Sequence, residues 1–498
     1  MKNASKVLFK TINQAVSTNT PGLGVMYLAG PTELGQFNDP SSLIINKTQF
    51  RKEFGTGIIG SNFNLMVEKV LDAGVMVRVA RVSTIDMESA QITLHGGSPE
   101  SPVGIFKLIA KLPGTAFNTM TATISEDTPD SVGHVQLTIN WRDIKETYSI
   151  PSPLTLETYV DYLAEIQEKS TLVDVDYITI EEGDLPLTIL LTDEPVTPQI
   201  LGVDGAETDS TAYSSNTFAS FDEYDDGVVM VFPDEMSDHA EKKLLAEKVS
   251  AYVAGREDMV MVASVPWELD WAASVAYAES LTISNGKYSV LTHGGLKVAS
   301  DTGVVNIPES VFVGARIVNQ YNSKPWISSS GLTYGLIGGH NGVINNYGTP
   351  AKLAALEQLT EAGVNSVVTS YGVTCLWNAY TMADEDSQEK FLNTILLEIY
   401  IKRVIKPTMA KFLSHPNDME TWSTIYYRVR PFLDSLVENR AFYEYSWEGD
   451  QFVTSLDELQ INTAEDVQNG LYKAVLQAKL ISPIVTITIE FYKQSLTA

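Results

Sequence analysis

The sequence predicts a multidomain α/β protein that carries a β-rich insertion. Residues 24–30, 61–73 and 75–82 have the patterns of a strand, an amphipathic helix and a strand, an order typical of parallel strands in a helix-covered sheet. The same alternation returns from residue 226 onward. Between these regions, residues 91–200 contain short strands separated by Gly, Pro, Asp and Ser, a pattern typical of an antiparallel domain. The chain is therefore expected to be an α/β scaffold with one interruption.

The other predicted elements follow in chain order. A helix at 156–170 interrupts the β-rich segment, and the polar loop 201–217 ends it. Pro407 should kink the longest helix, because proline lacks the amide hydrogen that helix continuation needs. The elements after the loop include strand 227–233, helix 238–257, strand 259–266, helix 349–363, helix 386–413, helix 419–441 and a final strand within 483–493.

Composition disfavours several classes of protein. The chain has 498 residues and a net charge of −28, so its length suggests about two to four domains and its charge argues against direct nucleic-acid binding. The sequence contains no apolar run of about 18 residues and no signal peptide, so we expect no membrane insertion. Cys375, in the apolar stretch VTCLW, is the only cysteine. We expect it to be a buried structural thiol in a protein made in a reducing cytoplasm.

Sequence motifs of catalysis are absent. The chain has no phosphate-binding GxxxxGK[ST], no GxSxG, no HExxH and no CxxC, and its histidines lack metal-ligand spacing. The triplet at 293–295, His-Gly-Gly, is expected to be a turn. Asp204, Glu207 and Asp209 could bind a cation through their oxygens, although a solvated acidic loop also explains them. The sequence therefore predicts a protein that is not an enzyme and has no cofactor.

Two terminal segments have the pattern of strands that lack a partner. The first is KVLFKTI, near the start, with Val7, Leu8 and Phe9. The second is PIVTITIEFYK, whose alternation places four apolar side chains on one face. These are Val485, Ile487, Ile489 and Phe491. Either they pair within the chain as edge strands, or they complete the sheet of another molecule.

One predicted helix is basic in an otherwise acidic chain. No acidic residue occurs between positions 398 and 418. Cations stabilise the C-terminal end of a helix, which is one explanation. The other is a docking face for an acidic partner. The basic residues are Lys402, Arg403, Lys406 and Lys411.

Six short segments of the chain occur in a recognisable order. They are FRKEFG with LDAGVMVRVARV, FKLIAKLPGTAFN, LGVDGAETD, VNIPESVFVGARIVNQYNSKPWISSSGL, LTEAGVNSVVTSYGVTCLWNAYT and INTAEDVQNG. Together they resemble the sheath protein of contractile bacteriophage tails, a family related to the sheaths of contractile bacteriocins and type VI secretion. Phe117, where glycine is usual, and Val203 depart from the family pattern.

The resemblance implies a division of the chain. The N- and C-terminal segments would form a conserved sheath core, the β-rich insertion would project outward, and the middle would be a subtilisin-like α/β layer without a protease site. The implied parts are an N-terminal linking arm (1–20), the first part of the core (21–90), the inserted domain (91–200), the middle layer (201–375), the C-terminal core (376–482) and a C-terminal linking strand (483–498).

The resemblance also implies a function. Subunits of this family form stacked hexameric rings around a tail tube, and contraction drives the tube through the host envelope. The implied partners are other copies, the tube, the baseplate and the tail terminator. Assembly would occur in the host cytoplasm, and the product would be part of the virion. The terminal arms would add strands to a neighbour's sheet, and the basic helix would dock on the tube. Alternatives are the sheath of a phage-like injection device or bacteriocin, or another phage structural protein.

Overall fold

A computed structural model describes most of the chain, and the fold is stated for these residues. The described ranges are 23–58, 60–126, 133–153, 155–178, 188–192, 194–205, 207–233, 236–384, 387–448 and 461–483. The strands are β1 (Val25–Gly30), β2 (Val77–Arg81), β3 (Gln91–Ser98), β4 (Ser101–Ala110), β5 (Thr121–Glu126), β6 (His134–Trp141), β7 (Ile144–Pro151), β8 (Val173–Tyr177), β9 (Gly227–Val231), β10 (Val260–Ser264), β11 (Ser289–His293), β12 (Leu296–Ser300), β13 (Gly303–Ile307), β14 (Gly342–Val343), β15 (Val364–Ser370), β16 (Val373–Leu376), β17 (Phe442–Glu448) and β18 (Val475–Leu480).

The helices alternate with these strands in both α/β regions. They are α1 (Lys47–Phe54), α2 (Phe63–Asp72), α3 (Leu156–Lys169), α4 (Ser215–Ser220), α5 (His239–Arg256), α6 (Trp271–Ser280), α7 (Ser310–Ser323), α8 (Gly331–Tyr334), α9 (Leu353–Glu361), α10 (Leu392–Ala410), α11 (Met419–Glu438) and α12 (Ala464–Gln468). None of these helices combines the length and apolarity that crossing a bilayer requires.

The largest element is a seven-stranded sheet in the order β16-β15-β11-β10-β9-β1-β2. All neighbouring strands pair in parallel except β15 and β16, which are antiparallel. The strands β1, β2 and β9 are buried at every position, as strands covered on both faces must be. The segments 21–90 and 201–375, which are separate in the sequence, therefore contribute to one sheet.

Both edges of the seven-stranded sheet are covered by the chain itself. At the β2 edge, Phe37 bridges to Arg81 and Ile44 bridges to Val77. At the β16 edge, Leu336 bridges to Cys375, and the amide of Leu376 donates to the carbonyl of residue 335. Covered edges leave few unpaired backbone groups for another chain to bind.

The segment between β2 and β9 is rich in antiparallel strands. It contains two three-stranded antiparallel sheets, in the orders β3-β4-β8 and β5-β6-β7. The predicted helix at 156–170 is present as α3. The apolar side chains of these sheets form a hydrophobic cluster of their own, distinct from the one around the seven-stranded sheet.

The C-terminal region contains α10, α11 and a two-stranded sheet of β17 and β18. The long helix begins at Leu392, six residues later than predicted, and continues through Pro407 to Ala410. Cys375 is buried, as predicted, and burial raises the pKa of its thiol to about 11. A thiol with that pKa is almost entirely protonated near neutral pH and is therefore a weak nucleophile.

Candidate assembly surfaces

The two-stranded sheet is amphipathic. Its strands pair antiparallel, with Tyr445 opposite Ala478 and Trp447 opposite Leu476. These four side chains pack on a cluster of apolar residues from α10, α11 and the start of β17. The buried members of that cluster are Leu397, Ile405, Val429, Leu433, Leu436, Ala441 and Phe442.

The other face of this sheet is open to solvent. Glu444 and Lys479 are opposite each other and form an ion pair at 2.9 Å, with side chains 72% and 70% exposed. Tyr443 is 67% exposed. Within the described residues, no third strand pairs with either β17 or β18. Both edges of this sheet are therefore unpaired in the part of the chain that the structure describes. A two-stranded sheet is only marginally stable unless further strands or helices support it.

The sequence segment INTAEDVQNG holds β18 in place. Thr463 and Asp466 form a reciprocal capping box at the start of α12. The side chain of Asn462 donates to the carbonyl of Lys473 at 2.9 Å and accepts from its amide at 2.7 Å. Hydrogen bonds from Lys473 and Thr463 lower the pKa of Asp466 to about 2. This turn directs the chain into β18, two residues after Lys473.

The predicted donor strands lie outside the described residues. This applies to Val7, Leu8, Phe9, Val485, Ile487, Ile489 and Phe491. The described chain begins close to the end of α7, where Asn322 accepts from the amide of Gly24 at 2.6 Å. Trp326, four residues after Asn322, packs on the cluster below the two-stranded sheet. At the other end of the described chain, Ser482 lies just after β18, and its hydroxyl donates to the side chain of Gln388 at 3.0 Å.

The predicted basic face divides into inward and outward residues. The Arg403 guanidinium donates to the carbonyls of Asp226, at 3.2 Å, and Asp258, at 3.1 Å, and also to that of Gly227. These carbonyls lie immediately before or at the start of β9 and β10, so Arg403 ties α10 to the seven-stranded sheet. The guanidinium of Arg403 therefore already has partners within the chain, and its docking role stays a prediction.

The three predicted lysines in and just after α10 differ in their contacts and exposure. Lys402 pairs with Glu398 at 2.6 Å. Burial lowers the pKa of Lys402, but this hydrogen bond and the charge of Glu398 outweigh burial, so the pKa is raised overall. Lys406 is half-buried and Lys411 is exposed. Among the four predicted residues, Lys406 and Lys411 therefore retain the best geometry for contact with another molecule.

A group of residues around β11 resembles a protease site only in composition. Ser274 Oγ lies 3.5 Å from His293 Nε2, and both residues are fully buried. The Glu309 carboxylate accepts from the Thr292 hydroxyl and from the Gly295 amide, each at 2.7 Å. These contacts fix the turn at 293–295, and the burial of the group leaves no access for a substrate.

The acidic loop 204–209 does not form a cation site in the described part of the chain. Asp204 accepts from Thr115, Glu207 from Ser237, and Asp209 from the amide of Thr211 in its own turn. No group of three or more His, Cys, Asp or Glu side chains there is arranged to bind a metal.

Solved structures share this architecture over nearly the whole chain. The sheath tail protein of Listeria innocua matches with a TM-score of 0.58 at 13% identity, covering 93% of this chain and 96% of that chain. The sheath tail protein of Desulfitobacterium hafniense has a TM-score of 0.54 at 14% identity, covering 87% and 92%. The contracted helical sheath of the anti-feeding prophage has 0.56 at 11% identity, covering 99% and 100%. This is the fold of contractile sheath proteins.

The sheath fold confirms the resemblance seen in the sequence at the level of structure. No family model and no curated protein matches the chain. Sequence reasoning missed one strand of the open sheet, β18, although Leu476, Ala478 and Leu480 alternate with polar residues. The segment is short and lies far from β17 in sequence, so its alternation is a weak signal without knowledge of the pairing.

Proposed function

We propose that this protein is the subunit of a contractile sheath that forms stacked hexameric rings around a tail tube and drives it through a host envelope by contracting. The likeness to sheath structures along almost the whole chain supports this function. The observation that carries it furthest is the open two-stranded sheet on a protein whose main sheet has covered edges.

The proposed partners are further copies of the chain, the tube, the baseplate and a tail terminator. We place the protein in the tail of a virion, after assembly in the host cytoplasm. The similarity to the anti-feeding prophage sheath makes the sheath of a phage-like injection device the second candidate. Both functions need polymerisation and contraction without catalysis, so the same assembly surfaces serve either one.

Strand addition would link neighbouring subunits. An added strand forms main-chain hydrogen bonds along a free edge and places alternate side chains on the apolar face. Burial of each large apolar side chain of the segment 485–491 stabilises the link by roughly 1.5–3 kcal/mol. Each ladder hydrogen bond adds about 0.5–1.5 kcal/mol net. A link of this strength would persist while weaker polar contacts between rings break and form again during contraction.

Deletion of residues 484–498 tests the strand link. The shortened protein should remain folded and monomeric, because the described core does not include these residues, and it should form no tubes. Negative-stain microscopy and analytical ultracentrifugation measure this. A matched control replaces Thr486 and Thr488, on the opposite face of the segment, with serine and should still polymerise. Long tubes from the shortened protein would disprove strand donation.

The basic residues have a separate test. The double variant Lys406→Glu, Lys411→Glu should weaken assembly on the tube more than assembly of the sheath alone, because an acidic tube surface would be repelled. The double variant Lys145→Glu, Lys169→Glu, at two exposed lysines in the inserted domain, is the control of equal charge change. Equal loss of both kinds of assembly in the double variant would assign these lysines to sheath contacts instead.

A further inference from the structure

Three segments that carry the sheath resemblance meet at one place in the structure. They are the end of LDAGVMVRVARV, the turn PGTAFN and the loop LGVDG. They lie far apart in sequence, at residues 81, 113–118 and 201–205. Their meeting point is the junction where the inserted domain leaves the seven-stranded sheet after β2 and returns to it before β9.

The junction contains paired polar contacts between the turn and the loop. The Asp204 carboxylate accepts from the Thr115 amide at 2.7 Å and from the Thr115 hydroxyl at 2.6 Å. The Asn118 side chain donates to the carbonyl of Gly202 at 3.1 Å and accepts from its amide at 2.6 Å. Both side chains thus satisfy backbone groups that would otherwise lack partners.

Two glycines allow the segments to approach this closely. A Cβ on Gly202 would overlap the carbonyl oxygen of Gly114. Gly114 has a φ of +121°, and a Cβ there would lie 2.6 Å from the Asp204 carboxylate. Any larger residue at these two positions would push the turn away from the loop.

Arg81 connects this contact to the seven-stranded sheet. Its guanidinium donates to the carbonyl of Gly35 at 3.2 Å. Gly35 lies in the covering loop of the sheet, the segment between β1 and α1 that pairs with the β2 edge. The guanidinium also donates to the carbonyl of Pro113, in the inserted domain, at 2.8 Å. Burial lowers the pKa of Arg81 to about 10, against the opposing effect of Asp204. The buried guanidinium depends on these carbonyls, because water cannot replace them readily.

The two chain segments that cross the junction are also bonded to each other. Glu88 and Val203 exchange two backbone hydrogen bonds, each of 3.0 Å, and the amide of Ile85 donates to the carbonyl of Glu207 at 2.8 Å. The inserted domain is therefore attached by a paired ribbon and not by two independent linkers.

A second contact lies beside the ribbon. Phe117, which replaces the family's usual glycine, stacks on Trp141 with ring centroids 4.1 Å apart. The next residue, Arg142, forms an ion pair at 2.7 Å with Glu33 of the sheet's covering loop. Glu33 also accepts from the amide of Thr56. The departure from the family pattern thus supports the same attachment.

We propose that Arg81, Thr115, Asn118, Gly202 and Asp204 form a junction clamp that makes the inserted domain and the seven-stranded sheet move as one rigid body. Domains joined by small polar interfaces usually move relative to each other. Here opening would break several half-buried hydrogen bonds together. It would also leave the buried side chains of Arg81 and Asp204 without these partners, which is unfavourable. The clamp is a property of the single chain and does not depend on the proposed function.

Distance measurements between two spin labels test the clamp. The labels are attached at Lys145→Cys in the inserted domain and Glu357→Cys on α9, both exposed, in a Cys375→Ala background. Double electron–electron resonance on the full chain should give a narrow distance distribution. Asp204→Ala and Asn118→Ala should each broaden it at least about twofold, because each removes a pair of clamp hydrogen bonds. Asp209→Ala, a nearby loop aspartate that bonds only within its own turn, should leave the width unchanged.

Two results would overturn the clamp. One is a broad distribution in the parent protein. The other is an unchanged width in both Asp204→Ala and Asn118→Ala when circular dichroism shows that they are folded. Thr115→Val, which keeps the backbone amide and loses only the hydroxyl, is the milder variant if Asp204→Ala does not fold. An unchanged width in Thr115→Val and Asn118→Ala then counts against the clamp equally.

Discussion

The seven-stranded sheet and the two-stranded sheet differ in whether their edges are covered and in whether their ion pairs are buried. The large sheet has both edges covered and holds a buried ion pair, Arg78 with Asp226 at 2.7 Å. The small sheet has two free edges within the described residues, and its cross-strand pair, Glu444 with Lys479, is exposed. An exposed ion pair contributes little to stability, whereas the loss of one partner from a buried ion pair is strongly destabilising. We therefore propose that the large sheet stabilises the chain itself and that the small sheet serves association.

The largest effect should come from the buried ion pair of the large sheet. Asp226 accepts from Arg78 and from the Tyr27 hydroxyl, both at 2.7 Å. Asp226→Ala should lower the free energy of unfolding by about 3–5 kcal/mol, because it leaves a buried guanidinium unpaired. Urea unfolding measures this loss. The exposed neighbour in Asp225→Ala is the control, and equal losses in both variants would contradict the role of the ion pair.

The next effect should come from the helix that joins the two regions. The Arg403 guanidinium bonds to carbonyls beside β9 and β10, whereas Lys411 is exposed near the end of α10. Arg403→Ala should lower the free energy of unfolding by about 1.5–3 kcal/mol, since charged hydrogen bonds are lost. Lys411→Ala should leave it unchanged. If urea unfolding finds the two variants equally stable, Arg403 does not tie the helix to the sheet.

Proline substitutions along β18 should separate folding from association. Successive amides of a strand point to opposite edges, so one alternate set faces β17 and the other faces the free edge. Proline at Leu476 or Ala478 and proline at Gln477 or Lys479 test the two sets. Proline substitutions in the set whose amides bond to β17 should lower Tm. Substitutions in the other set should leave Tm nearly unchanged and should weaken polymerisation about fivefold to tenfold, which corresponds to one lost hydrogen bond. Loss of Tm in both sets would mean that neither edge of β18 is free.

The smallest effect should be a pH dependence inside the large sheet. Burial lowers the pKa of His293 below its ordinary value of 6.5, although the charges of Glu309 and Glu268 oppose this shift. The unfolded chain then binds a proton more readily than the folded one. Stability is therefore complete above pH 6.5 and is lost as the pH falls below it toward the lowered pKa.

The variant His293→Asn tests this dependence. Its free energy of unfolding should fall less than that of the parent between about pH 7 and pH 5, because the titrating group is absent. Urea titrations at the two pH values measure the difference. His415→Asn, at an exposed histidine, is the control for the substitution itself. Identical slopes for the parent and His293→Asn would contradict the assignment.

Much of the fold was predictable because the local patterns are strong. The α/β alternation, the β-rich insertion and the helix near 156–170 follow from periodicity and turn residues, and all three are present. The start of α10 was predicted six residues too early, because residues 388–390 have helical composition but form a separate turn of 3₁₀-helix. The burial of Cys375 also followed from its apolar neighbours.

The candidate site was less predictable because it depends on pairing between distant segments. Sequence alternation predicted two terminal strands, but it could not show that β17 and β18 pair as a sheet to which no other described strand is bonded. Likewise, spacing grouped Arg403 with Lys402 and Lys406 as one basic face. Only the packing of α10 shows that Arg403 contacts the carbonyls beside β9 and β10.

By itself, the sequence determined the kinds of elements, their order, the acidic surface, the lack of catalytic motifs and the resemblance to sheath proteins. These are local or additive properties, which each segment carries wherever it is placed. The tertiary structure decided which sheet edges are covered, which basic residues point outward and why three distant family segments belong together at Arg81 and Asp204. Those outcomes depend on contacts between residues far apart in the chain, and no local pattern encodes which groups will meet.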